Sequence, residues 1–161
     1  MARQLSRRLL RRLRSSKGAT LVEAAIIVPL LLTITFSIVD FGALFYVYLA
    51  LENGVSQATR TAVTGALASD GSGGTLDRAG TIMAAMRQST PNLTIPDGAF
   101  TFEHMAVGGS SFVGGVGGPD EIEKVTVSYT WNVLTPVLRP FFTNGQVQFR
   151  VSSMMKNEKY Q

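Results

Sequence analysis

Cysteine is absent, histidine occurs once, at position 104, and tryptophan occurs once, at position 131. The lack of cysteine excludes a disulfide framework and thiol chemistry, and leaves the compartment unreadable from cysteine usage. A single histidine excludes a metal site built from several histidines of one chain. A Ser-His-Asp triad would have to use His104, and no Gly-x-Ser-x-Gly elbow accompanies it. Charge is also scarce, at 16% of 161 residues. Acids are missing altogether from residues 1–17, which hold seven of the fifteen cations: Arg3, Arg7, Arg8, Arg11, Arg12, Arg14 and Lys17. Beyond them eight cations face eleven acids, a net of −3, so the formal charge of +4 belongs to a short N-terminal arm. That distribution argues against a nucleic-acid-binding fold, and the length fits one domain rather than two.

What is present begins with a long apolar stretch. Ala24 to Val39 carries no charge, Asp40 interrupts, and Phe41 to Leu51 is again uncharged. A ~30 Å hydrocarbon core needs about twenty helical residues, which a span from Val22 to Phe41 supplies. This placement sets Glu23 near one membrane face and Asp40 near the other, where carboxylates reach headgroups or water. A charge at mid-bilayer would cost ~2.5–3.5 kcal/mol on the insertion scale. Pro29 lies inside the span, where membrane helices tolerate it. The cations Arg7, Arg8, Arg11, Arg12, Arg14 and Lys17 precede the span and Arg60 is the first to follow it. The N-terminus is therefore expected in the cytoplasm and the C-terminal body exported. A cleaved secretory signal would need a shorter apolar region, and Ala66-Leu67-Ala68 lies far beyond this one. Ser6-Arg7-Arg8-Leu9-Leu10 has the look of a twin-arginine signal, but the apolar run starts well downstream. An Arg-rich transit peptide sits awkwardly before a membrane span.

Lys17-Gly18-Ala19-Thr20-Leu21-Val22-Glu23 is a basic leader ending in glycine, followed by an apolar helix whose fifth residue is glutamate. It resembles a type IV prepilin processing site. The Gly-Ala-x-x-Val-Glu start, the Pro29-Leu30-Leu31 step, Asp40-Phe41-Gly42 and the helix around Gln57-Ala58-Thr59-Arg60 together resemble the TadE-like family. These are minor pilins, or pseudopilins, of tight-adherence (Tad, Flp-type) pili. The resemblance spans residues 17–65. It implies cleavage between Gly18 and Ala19 by a prepilin peptidase, with the basic leader as the docking arm. It also implies a role for Glu23 in register: the glutamate of one mature subunit meets the new amine of its neighbour, so that neither charge stays unpaired in an apolar bundle. Headgroup solvation is the alternative for Glu23. Asp40 has two readings as well, interfacial solvation or a registering contact with a partner helix.

Past the span, Phe41, Leu44, Phe45, Tyr48 and Leu51 suggest a buried helical stripe. Ala58, Ala62 and Ala66 continue a small-residue face to about Leu67. Ser69–Gly74 is a break. A second helix is expected with Thr75 as N-cap, Asp77 in its first turn, and Leu76, Ala79, Ile82, Met83 and Met86 on its apolar face. Pro91 ends it. The period then becomes two. Phe100 and Phe102, then Val125, Val127, Tyr129 and Trp131, then Val147, Phe149 and Val151 mark three half-buried strands. The linker Gly108–Gly118 holds six glycines in eleven residues and is expected to be mobile and exposed. Leu134–Phe142 reads as a connector with a short helix, and Asp120, Glu121 and Glu123 read as solvated. The glycine-rich linker lacks a phosphate-loop lysine. Asp70-Gly71-Ser72 starts like a calcium loop but lacks the closing glutamate.

The sequence thus describes a pilin-like α+β protein. A leader (1–18) precedes a transmembrane and assembly helix (19–50) and an exported domain (51–161) of one further helix and about three antiparallel strands. No catalytic residue, metal or cofactor is expected. The expected partners are a prepilin peptidase, other pilins, inner-membrane Tad assembly proteins and membrane lipids, with no nucleic acid and no small-molecule substrate. The expected place is the bacterial inner membrane, as a single-pass protein that can enter a surface pilus. An uncleaved single-pass anchor carrying a small exported binding domain is the alternative.

Overall fold

The computed structural model describes residues 16–159. Helix α1, Ser16–Val63, is continuous over 48 residues with Pro29 inside it. The hydroxyls of its apolar half are satisfied locally. Thr33 donates to the Pro29 carbonyl at 2.8 Å, Thr35 to Leu31 at 2.9 Å and Ser37 to Thr33 at 2.7 Å. These bonds let polar residues sit in an apolar environment without unpaired donors.

From residue 40 onward one face of α1 enters the core. The buried stripe is Asp40, Val47, Leu51, Val55, Ala58 and Ala62, with Leu44 half-buried between its first members. Its steps of three and four residues are those of one helical face. The stripe is rotated from the expected one, because Phe41 and Phe45 are exposed. Ala58 and Ala62 lie in the chain's own core, whereas Ala66 lies exposed beyond the end of the helix. The helix stops at Val63 rather than near Leu67, and Gly65 follows in the left-handed region at φ 65°, a stop that glycine makes without a Cβ clash.

Helix α2, Arg78–Ser89, is capped by Asp77, whose side chain accepts the Gly80 N–H at 2.8 Å. The cap is therefore Asp77 and not Thr75. Ile82 and Met86 are buried as their spacing implied. The two helices approach closely at Gly54, where a Cβ would lie 2.7 Å from both Met86 Sδ and Thr90 Cγ2.

Four strands follow: β1 (Phe100–Met105), β2 (Val113–Gly114), β3 (Ile122–Asn132) and β4 (Gln146–Lys156). They form one antiparallel sheet in the order β2-β1-β3-β4. The sequence suggested about three. The additional strand comes from the glycine-rich linker, which the Gly115 N–H fastens to the Phe102 carbonyl at 2.9 Å. Two-residue β2 carries no periodic signal to read. In β3 the buried face is Glu123, Val125, Val127 and Trp131, so Glu123 is not a solvated residue. It shares the odd-numbered side of the strand with the valines.

The sheet lies along the distal half of α1, held at two heights. Leu134 and Thr135, after β3, donate backbone N–H groups to Asp40, and the Glu158 N–H, after β4, donates to the Val63 carbonyl at 3.0 Å. These heights are 23 residues apart, about 35 Å along the helix. The folded body thus includes residues 40–63 of α1.

Candidate functional site on the long helix

The first 22 residues of the exposed segment of α1, numbers 18–39, pack against almost nothing in the chain. Leu21, Val22, Ile26, Leu30, Ile34 and Ile38 are all exposed, and α1 is long and apolar enough to cross a membrane. Gly18, Ala19 and Glu23 all lie at its N-terminal end, helical and exposed. A Cβ at Gly18 would meet nothing within 4 Å, so this fold does not itself require glycine there. Arg7, Arg8, Arg11, Arg12 and Arg14 lie outside the described residues, as does the side chain of Lys17.

Asp40 is engaged by the chain's own sheet domain. It is 4% exposed. The Leu134 N–H donates to Oδ1 at 2.9 Å, and the Thr135 N–H reaches Oδ2 at 3.2 Å and Oδ1 at 3.4 Å. Its carboxylate accepts from the backbone of the β3–β4 connector. Two charge-assisted bonds offset much of the cost of burying it. No local sequence signal marks this pairing, because its partners are main-chain groups 94 and 95 positions away.

The connector closes over Asp40 as a short arch. Leu138 is buried, Arg139–Phe141 form a 3-10 turn, and the Arg139 Nε–H donates to the Val133 carbonyl at 3.1 Å. Between arch and helix lies a cavity of about 270 Å³ lined by Thr33, Ser37, Asp40, Phe41, Trp131 and Phe141 among others. It is open to the exterior.

At the opposite end of the sheet, Glu123 accepts the Gly117 N–H at 2.6 Å through Oε2, while Oε1 has no hydrogen-bond partner among the described residues. Burial pushes its carboxyl up from the ordinary range. The Gly117 N–H, the charges of Arg78 and His104, and Asn157 pull the other way. Arg78 bonds the carbonyls of Gly117 and Ala62, tying α2 to the loop and to the end of α1. His104 Nδ1 lies 3.1 Å from the Gly115 carbonyl and Nε2 lies 3.9 Å from Glu121. This is a structural knot at a sheet edge. Among the described residues no group of three or more acids or histidines is placed to hold a metal ion.

An exposed apolar stalk with Gly18 and Glu23 at its start, and a carboxylate at position 40 that secures the body, is the arrangement to compare with known proteins. Residues 18–60 match the family model described as TadE-like protein. The match starts at Gly18 and ends within the last turn of α1, so the TadE-like segment is the helix itself. The family is a structural one associated with pili of the tight-adherence type. Residues 61–161, which include α2 and the whole sheet, lie outside the match. No curated protein and no solved structure matches the chain.

Proposed function

We propose that this protein is a minor pilin-like subunit, a pseudopilin, for assembly of a tight-adherence type IV pilus. The observation that carries this reading is the coincidence of the TadE-like match with a helix whose first half is apolar and uncovered by its own chain. Such a helix anchors the precursor in the bilayer and then offers the same surface to neighbouring helices in a bundle. The basic leader keeps the N-terminus cytoplasmic and presents Gly18 to a prepilin peptidase. Cleavage there makes Ala19 the amino terminus. Its ammonium and the Glu23 carboxylate of an adjacent subunit then neutralise one another and set the axial register. The chain's own residues supply binding and register rather than catalysis. Partners on this reading are the peptidase, other pilins and inner-membrane assembly proteins, and the location is the inner membrane with the sheet domain exported.

The test is the mass of the mature N-terminus with and without a co-expressed prepilin peptidase. A chain starting at Ala19, lost when Gly18 is replaced by a bulky residue, supports the pilin pathway. An intact leader beside active peptidase overturns it in favour of a plain single-pass anchor.

A further inference from the structure

Charge is sorted along the β3–β4 hairpin. Its distal end, where Ile122 pairs with Lys156, carries Glu121, Glu123, Lys124 and Lys156. From Val125 through Phe149, which includes the whole connector, the only charged residue is Arg139. This charge-poor end is the one tied to Asp40, at the end of the apolar stalk. The height of the connector is therefore fixed by α1, beside residues 33–41, which also line the cavity beneath it.

At that height the connector turns apolar groups outward. Leu134 is 56% exposed, Val137 52% and Phe141 76%. Phe141 lines the same cavity as Phe41 of the helix, which is also exposed. A stable soluble surface does not keep such residues contiguous without an occupant. Asp40 is the only charge of α1 between Ala24 and Leu51, and its bonds to the connector remove the need for water there. Arg139 has the Val133 carbonyl as its only hydrogen-bond partner among the described residues, bonded through Nε alone. Its terminal amino groups suit a lipid phosphate, and no acid lies in Leu134–Phe142 to repel one.

We infer that the β3–β4 connector is a second membrane contact: Leu134, Val137 and Phe141 insert into the outer leaflet of the bilayer crossed by α1, with Arg139 at the phosphate level. An apolar tip with a basic residue beside it binds the interfacial plane by burying apolar area and pairing charge. The body would then be held upright against the membrane by two elements, the helix and the arch. The inference rests on the membrane-anchor part of the proposed function and not on cleavage or pilus assembly.

The chain has no cysteine, so single-site probes are available throughout. The full chain is reconstituted in vesicles of phosphatidylethanolamine and phosphatidylglycerol, with a spin label at Val137→Cys or Phe141→Cys. Ile34→Cys on the stalk and Val113→Cys at the far sheet edge serve as references. Collisional relaxation by oxygen, which favours lipid, is compared with relaxation by an aqueous nickel chelate. The expected result is that 137 and 141 show the oxygen-dominated ratio of 34, and 113 the nickel-dominated ratio. Arg139→Gln should shift 137 and 141 toward the aqueous ratio, with unchanged circular dichroism. Nickel-dominated relaxation at 137 and 141 with 34 still in lipid overturns this inference and leaves the anchor intact. Shielding of 137 and 141 from both agents also overturns it, because a protein neighbour then covers the tip. Nickel-dominated relaxation at 34 itself overturns the anchor reading.

Discussion

Asp40 and Leu134 are 94 positions apart in the chain, yet the Leu134 N–H donates to the Asp40 carboxylate at 2.9 Å. With the Thr135 N–H this makes the stalk-side fastening between the TadE-like helix and the sheet. Asp40→Ala leaves two backbone donors without an acceptor. The expected loss is about 1–3 kcal/mol of stability. Asp40→Asn retains one acceptor oxygen and should lose less. Denaturation in detergent micelles measures both, and hydrogen exchange at the Leu134 and Thr135 amides should accelerate in the same order. Wild-type exchange in Asp40→Ala would show that the fastening carries no weight.

Gly54 sets the distance between the helices. A Cβ there would lie 2.7 Å from Met86 Sδ and 2.7 Å from Thr90 Cγ2. Gly54→Ala gains helix propensity but overpacks a core in which Met86 is fully buried. The net expectation is destabilisation by roughly 1–3 kcal/mol. Thr90→Ser removes the offending methyl while keeping a hydroxyl for the Met86 carbonyl, and should recover part of the loss. A double-mutant cycle in thermal denaturation reads the coupling.

Glu123 makes stability depend on pH in a stated direction. Its carboxyl is held above the ordinary range by burial, so the native state binds the proton more tightly than the unfolded chain. Its contribution is fully present below the ordinary carboxylate range and is lost as pH rises through the raised native value. Among the described residues neither Oε1 nor Asn157 Oδ1 has a hydrogen-bond partner, so an ionised Glu123 is incompletely solvated. Glu123→Gln should therefore stabilise the protein at pH above the raised native value, and should remove the loss of stability that the wild type shows as pH rises through that value. The difference between variant and wild type across the pH range is the quantity to follow.

Glu23 is exposed on the stalk and makes no demand on the fold. Under the proposed function, Glu23→Ala should insert and fold as the wild type does, while assembly is impaired. Membrane fractionation and recovery of subunit from sheared pili measure the two separately. Undiminished recovery would remove the proposed register role.

Whatever depends on near neighbours in the chain was legible in the sequence. The change from a 3.6-residue to a 2-residue apolar period placed α1, α2 and the three long strands, because burying one face imposes that spacing locally. The charge-free run and the Gly18–Glu23 spacing marked the segment that proved TadE-like. Even the burial of Glu123 was latent in its shared parity with Val125 and Val127. Only the tertiary structure decided which helical face turned inward, because Phe41 and Asp40 compete for neighbouring sides and main-chain donors some ninety residues away favour the aspartate. It also decided the fourth strand, whose two residues are held by pairing to β1 rather than by any preference of their own. Distant backbone groups leave no trace in local composition, so the fastening at Asp40 and the arch it holds exist only once the sheet has folded back along the helix.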